Sequence, residues 1–193
     1  MSGHGAEPEV PHDEHDPFVK KVALSVAIFA VILAVAGMGG KNASKDMMSA
    51  QMDASNTFAW YQAKSQKEVM YTQKKESLEE ADKLSEQQKQ RLDLVTKKLA
   101  EYEKEKADLK QQGDDFTAKR TLNHRKDGYF DIAELFLQLA IVLASISMLS
   151  KARWPWTISL LLAVVGLLLT LNGYFLVVSV PGIDAAAHGA GGH

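Results

Sequence analysis

The sequence predicts an all-α membrane protein: three transmembrane helices, with a long extramembrane antiparallel helical hairpin between spans one and two. Two observations and one consequence predict this class. Charged residues are absent from residues 22–40, 135–150 and 154–183. Neither glycine nor proline interrupts residues 41–112. A helix of that length must also return to the membrane before the second apolar run begins. The mean hydropathy of −0.15 conceals this segregation, because the apolar runs are offset by one segment dense in charge.

Residues 1–17 carry Gly3, Gly5, Pro8, Pro11 and Pro17, several carboxylates, and the imidazoles of His4, His12 and His15. Such a segment lacks the apolar surface to offset its ordering entropy, and it reads as a disordered tail. His12-Asp13-Glu14-His15 is a weak candidate for holding a metal, on composition alone. A solvated tail explains it as well.

Residues 18–40 read as the first transmembrane helix. A hydrocarbon core of about 30 Å needs roughly 20 apolar helical residues, which this run supplies. Lys20 and Lys21 ahead of it, with Ala34-Val35-Ala36, also fit a cleaved signal. The long acidic tail and the length of the run favour a retained span, ending near Gly37-Met38-Gly39-Gly40.

Residues 41–128 read as the hairpin. Helix formers dominate 41–112, and one unbroken helix there would extend about 107 Å at 1.5 Å per residue. Residues 113–128 could return at most about 56 Å when fully stretched. The helix therefore folds back, and equal arms place the turn near residue 85. Ser85-Glu86-Gln87-Gln88 there has the form of a capping box, and Ser77-Leu78-Glu79-Glu80 is a less central rival. On the return arm Leu92, Val95, Leu99, Tyr102 and Leu109 recur at steps of three and four, interrupted by Lys106. That is a coiled-coil seam. The outgoing arm, with Phe58, Trp60, Tyr61, Met70 and Tyr71, looks less regular. His124 stands in a basic run, where contact with lipid headgroups accounts for it.

Residues 129–150 form the predicted second span. Its uncharged core is short and reaches spanning length only by including Glu134. Residues 154–178 form the third, with Pro155 in its first turn, where a missing N–H costs little. Tyr129, Phe130, Trp154, Trp156, Tyr174 and Phe175 flank these spans as interfacial aromatics do. Residues 181–193, rich in glycine and alanine, read as a second disordered tail.

Polar residues at membrane depth mark contacts or function. Glu134 and Gln138 share one face of span two, and Asn172 lies near the end of span three on the same side. We expect Asn172 to meet at least one of the other two. Lys20, Lys21, Lys151 and Arg153 in the short segments place the N-terminus in the cytoplasm and the hairpin outside. Lys41, Lys45, Arg120, Arg125 and Lys126 argue the other way.

The chain has no cysteine and a formal net charge of −2. Thiolate chemistry is therefore excluded, and nothing global suggests nucleic acid. No phosphate-binding glycine loop, nucleophile elbow or paired-histidine zinc motif is present. No cofactor or small-molecule substrate is indicated, and an enzyme is not expected. The expected partners are the bilayer and either a second copy of the chain or another envelope protein. Ala23, Ala27, Ala30, Ala34 and Gly37 in span one would permit close helix contact. The alternative is a small transport or channel component using Glu134, Gln138 and Asn172.

Three stretches carry a family resemblance. They are Gly39-Gly40-Lys41-Asn42-Ala43 with Ala54-Ser55-Asn56 and Trp60-Tyr61-Gln62-Ala63-Lys64-Ser65; Phe130-Asp131-Ile132-Ala133-Glu134 running on from Gln138 to Ser145; and Trp154 through Leu171-Asn172-Gly173. Over residues 18–176 the chain resembles the DUF4337 family of bacterial membrane proteins. The resemblance implies a bacterial membrane protein with this hairpin layout. It supplies no catalytic residue.

Overall fold

The computed structural model describes residues 16–80 and 85–183. Three long helices account for nearly all of them: α1 (Pro17–Glu79), α2 (Glu86–Ser150) and α3 (Arg153–Phe175). No strand occurs among the described residues. Each helix is long and apolar enough to cross a membrane.

Local chemistry sets the helix ends. Asp16 opens α1, its Oδ1 accepting the Phe18 N–H at 2.8 Å, with Pro17 in the first helical position. At the start of α2 the predicted box is formed. The Ser85 N–H donates to Gln88 Oε1 at 2.8 Å, and the Gln88 N–H donates to Ser85 Oγ at 3.3 Å. Between α2 and α3, Lys151 is left-handed (φ 53°) and Ala152 is extended. Ser147 Oγ secures that turn by donating to the Ala152 carbonyl at 2.5 Å.

α1 runs unbroken through Gly37-Met38-Gly39-Gly40, where the first span was expected to end. Those glycines meet another helix closely and do not terminate their own. The third span was expected to reach residue 178, yet α3 ends at Phe175, because Leu176 turns left-handed (φ 50°) and its N–H bonds the Asn172 carbonyl at 2.7 Å. The proposed tails at 1–15 and 184–193, and residues 81–84 near the expected reversal, lie outside the described residues.

The chain divides into two compact units. One contains the start of α1 up to Lys41 together with Lys126–Pro181. In its core Val22, Phe29 and Ala36 of α1 cluster with Leu137 and Ala140 of α2 and Ala163 of α3. Small residues let the helix backbones approach, as spans need where lipid tails remove the hydrophobic drive to associate. Polar pins add direction. The Trp156 indole donates to Ser25 Oγ at 3.2 Å, and the Tyr174 hydroxyl donates to the Val35 carbonyl at 3.2 Å.

The other unit contains Asn42–Arg125. Here rising positions on α1 meet falling positions on α2. Phe58 packs on Gly113, Lys64 pairs with Glu105, and Tyr71 meets Tyr102 edge-on with centroids 5.4 Å apart.

The covered positions follow one register along each helix. On α1 of this unit that register holds Ala43, Met47, Ala50, Ala54, Thr57, Tyr61, Lys64, Glu68, Tyr71, Lys75 and Leu78, at alternating steps of four and three, with Ser44, Asp53, Phe58 and Ser65 half-buried beside it. The same alternation holds on α2 through Leu92, Val95, Leu99, Tyr102, Lys106, Leu109 and Gly113. This is the periodicity of knobs-into-holes packing.

Candidate functional site

Within the first unit the side chains converge on Phe130. Its ring is buried and lies where a Cβ on Gly39 would come within 2.5 Å, and one on Gly173 within 2.8 Å. Only hydrogen fits at either position without displacing the ring. Tyr174 meets the ring edge-on, with centroids 4.9 Å apart. One aromatic of α2 is thus clasped by glycines of α1 and α3.

Next to it Tyr129, fully buried, fastens the segment after α3. Its hydroxyl donates to the Val178 carbonyl at 3.1 Å and accepts the Val180 N–H at 2.9 Å. Asn172 completes the fastening. Its Oδ1 accepts the Val178 N–H and its Nδ2 donates to the Val178 carbonyl, both at 2.8 Å.

The predicted meeting of Asn172 with Glu134 or Gln138 is therefore corrected. Both polar atoms of Asn172 are engaged by the backbone that turns back after Phe175, which offers unpaired groups closer at hand. Glu134 faces α1, with Oε1 3.2 Å from where a Gly37 Cβ would stand and 3.7 Å from that of Gly40. Gln138 is exposed. The structure does not bring the three residues together.

In the second unit the predicted seam residues lie on the covered face of α2: Val95 is buried, and Leu92, Leu99, Tyr102 and Leu109 are half-buried. Lys106, read from sequence as an interruption, belongs to the seam. Its Nζ bonds Glu68 on α1 and lies 5.5 Å from the centre of the Tyr61 ring. A matching pair joins Lys64 to Glu105 at 2.5 Å, with the Lys64 amine 5.3 Å from the Tyr102 ring. The hydrogen bond to Glu68 raises Lys106 above the ordinary lysine value, and burial pushes the Tyr102 phenol up. Two crossed ion pairs with aromatic neighbours thus fix the register. Sequence reasoning missed Glu68 and Lys64 because a seam was sought in apolar residues.

A groove of about 340 Å³ in the same unit is lined by Met47, Met48, Gln51 and Met52 of α1 and by Arg120 and His124 of α2. The His124 Nδ1 is buried without a hydrogen-bond partner. The weak metal candidates His12 and His15 lie outside the described residues. Among those described, no group of three His, Cys, Asp or Glu side chains could hold a metal.

A family model described as a domain of unknown function (DUF4337) matches residues 18–176. No curated protein and no solved structure matches the chain.

Proposed function

The chain belongs to the DUF4337 family, and on that premise we propose that it is a non-enzymatic, membrane-anchored interaction module that presents an antiparallel helical hairpin and assembles with further copies of itself. The observation that carries this reading is a second stripe on α1. Asn56, Ala59, Ala63, Gln66 and Met70 are all exposed, all uncharged, and spaced by alternating three and four. Trp60, 64 % exposed, stands beside them. An uncharged stripe at coiled-coil spacing on a helix otherwise rich in charge suits another helix. The inner stripe is already occupied by α2, so the outer one is left for a partner.

The hairpin is supported by the falling order of α2 partners along α1 and by the box that restarts the helix at Ser85. Anchoring is supported by the length and apolarity of the three helices. The setting is a bacterial inner membrane, with the N-terminus cytoplasmic and the hairpin outside. Arg153 lies 5.9 Å from the Phe18 ring, and Phe18 meets Trp156 edge-on. These contacts keep the short basic segments Lys20-Lys21 and Lys151-Ala152-Arg153 at one end of the spans, as the charge rule for short loops requires.

The test is native mass spectrometry of the full chain released from nanodiscs. The wild type is expected as an oligomer, and Ala63→Glu with Met70→Glu as the monomer with unchanged helicity. A monomeric wild type, or an oligomer indifferent to both charges, overturns the reading.

A further inference from the structure

We propose that the groove between Met47, Met48, Met52 and His124 is a soft-metal site that binds monovalent copper, Cu(I), through thioether sulfur and the His124 Nδ1. The donor set selects the ion. Thioethers are soft ligands suited to Cu(I), and imidazole is compatible with it, whereas calcium and magnesium need clustered oxygens. Gln51 offers the only side-chain oxygen among the described residues lining the groove. The Arg120 guanidinium on the same wall disfavours a doubly charged ion more than a singly charged one.

Two further observations point to a ligand. First, the His124 Nδ1 is buried and unpaired. A neutral imidazole carrying its proton on Nε2 would present that nitrogen as a metal donor. Second, Met48 and Met52 both line the groove and are 63 % and 60 % exposed, so their sulfurs are open to an ion from outside. They stand one turn apart on the same face of α1, so both sulfurs can converge on one ion. Lipid does not account for their exposure. Counting from Lys41, they lie about 10 Å and about 16 Å further along the helix, whereas a headgroup layer is about 5–8 Å thick. The flexible, polarisable methionine side chain can adjust its sulfur to an ion arriving from outside.

The experiment uses the full chain in phosphatidylcholine nanodiscs. His4, His12, His15, His188 and His193 are replaced by alanine, so that His124 is the remaining imidazole. Ag(I), a redox-inert stand-in for Cu(I), is titrated, and X-ray absorption is recorded on the Cu(I)-loaded protein. The proposal expects one saturable Ag(I) per chain with sulfur and nitrogen ligation. Met48→Leu with Met52→Leu should weaken binding by about tenfold or more, the scale on which even outer partners of metal ligands act. His124→Phe should remove the nitrogen from the absorption spectrum. Met38→Leu, an exposed methionine of α1 outside both the groove and the assembly stripe, should change nothing. Leucine keeps the helix propensity of methionine, and circular dichroism checks that each variant is folded. Absence of saturable binding overturns the proposal. So does equal weakening by Met38→Leu, or a coordination shell without sulfur.

Discussion

Replacing Gly39 by alanine places a methyl carbon 2.5 Å from Phe130 Cε1 and 2.6 Å from Cζ. The ring cannot retreat towards α3, because a Cβ on Gly173 would already stand only 2.8 Å from the same edge. Overpacking of this kind costs about 1–3 kcal/mol. Against it stands the intrinsic preference of a helix for alanine over glycine, about 1 kcal/mol. A contact at 2.5 Å belongs in the upper part of the overpacking range, about 2–3 kcal/mol, so the net expectation is a loss of about 1–2 kcal/mol for Gly39→Ala. Gly40→Ala should cost less, since its nearest contact is Phe130 Cβ at 3.3 Å. Unfolding in mixed micelles, followed by tryptophan fluorescence, measures both. Phe130→Leu in the Gly39→Ala background should recover part of the loss, giving a coupling of about 1 kcal/mol between the two positions. If Gly39→Ala is as stable as the wild type while Phe130 is intact, the clasp is not what holds the helices together.

Three further outcomes follow from contacts elsewhere. Tyr129→Phe removes the bonds to Val178 and Val180; it should cost about 1 kcal/mol and speed amide exchange at residues 176–180, while unchanged exchange there would refute the fastening. Alkaline pH should loosen the seam. Lys106 and Tyr102 are both raised in the folded chain, so their contribution is complete below the unfolded values of about 10.4 and about 10 and fades as pH climbs through the folded ones. Thermal melts between about pH 8 and 12 should therefore decline at the alkaline end, and less so in Glu68→Gln with Lys106→Gln; an equal decline would exclude the pair as the cause. Ser85→Ala should cost about 1 kcal/mol and fray the first turn of α2, read as faster exchange at residues 86–89.

The helices were legible because their signals are one-dimensional. The absence of charge in three runs and of helix breakers in residues 41–112 is read along the chain, and Ser85 and Gln88 sit close enough in sequence to declare a box. What failed depended on partners that a one-dimensional pattern does not name. Thr57, Tyr61, Lys64 and Glu68 occupy seam positions of α1 at regular spacing, yet a hydrophobic pattern passes over them. Their regularity emerges only when Lys106 and Glu105 are seen opposite. Gly39 and Gly40 showed in the sequence only as the close of an apolar run; their close approach to Phe130, which the missing side chain permits, depends on a residue of another helix. Asn172 was matched to Glu134 and Gln138 by depth in the membrane, while its partner is the backbone six residues on. Depth assigns a level but not a direction around the helix, and the left-handed Leu176 that brings Val178 back carries no sequence signal.

The most direct test of the account is the distance between spin labels at Lys74 and Lys97, exposed positions on α1 and α2. Double electron–electron resonance is recorded on the full chain in nanodiscs, diluted with unlabelled protein so that the distance read is within one chain. An antiparallel hairpin reversing near residue 85 brings the two labels within about 20 Å, whereas one continuous helix would hold them about 34 Å apart at 1.5 Å per residue. A distribution centred below about 20 Å is the predicted result. One centred near the longer distance would contradict the hairpin, and with it the interaction module built on it.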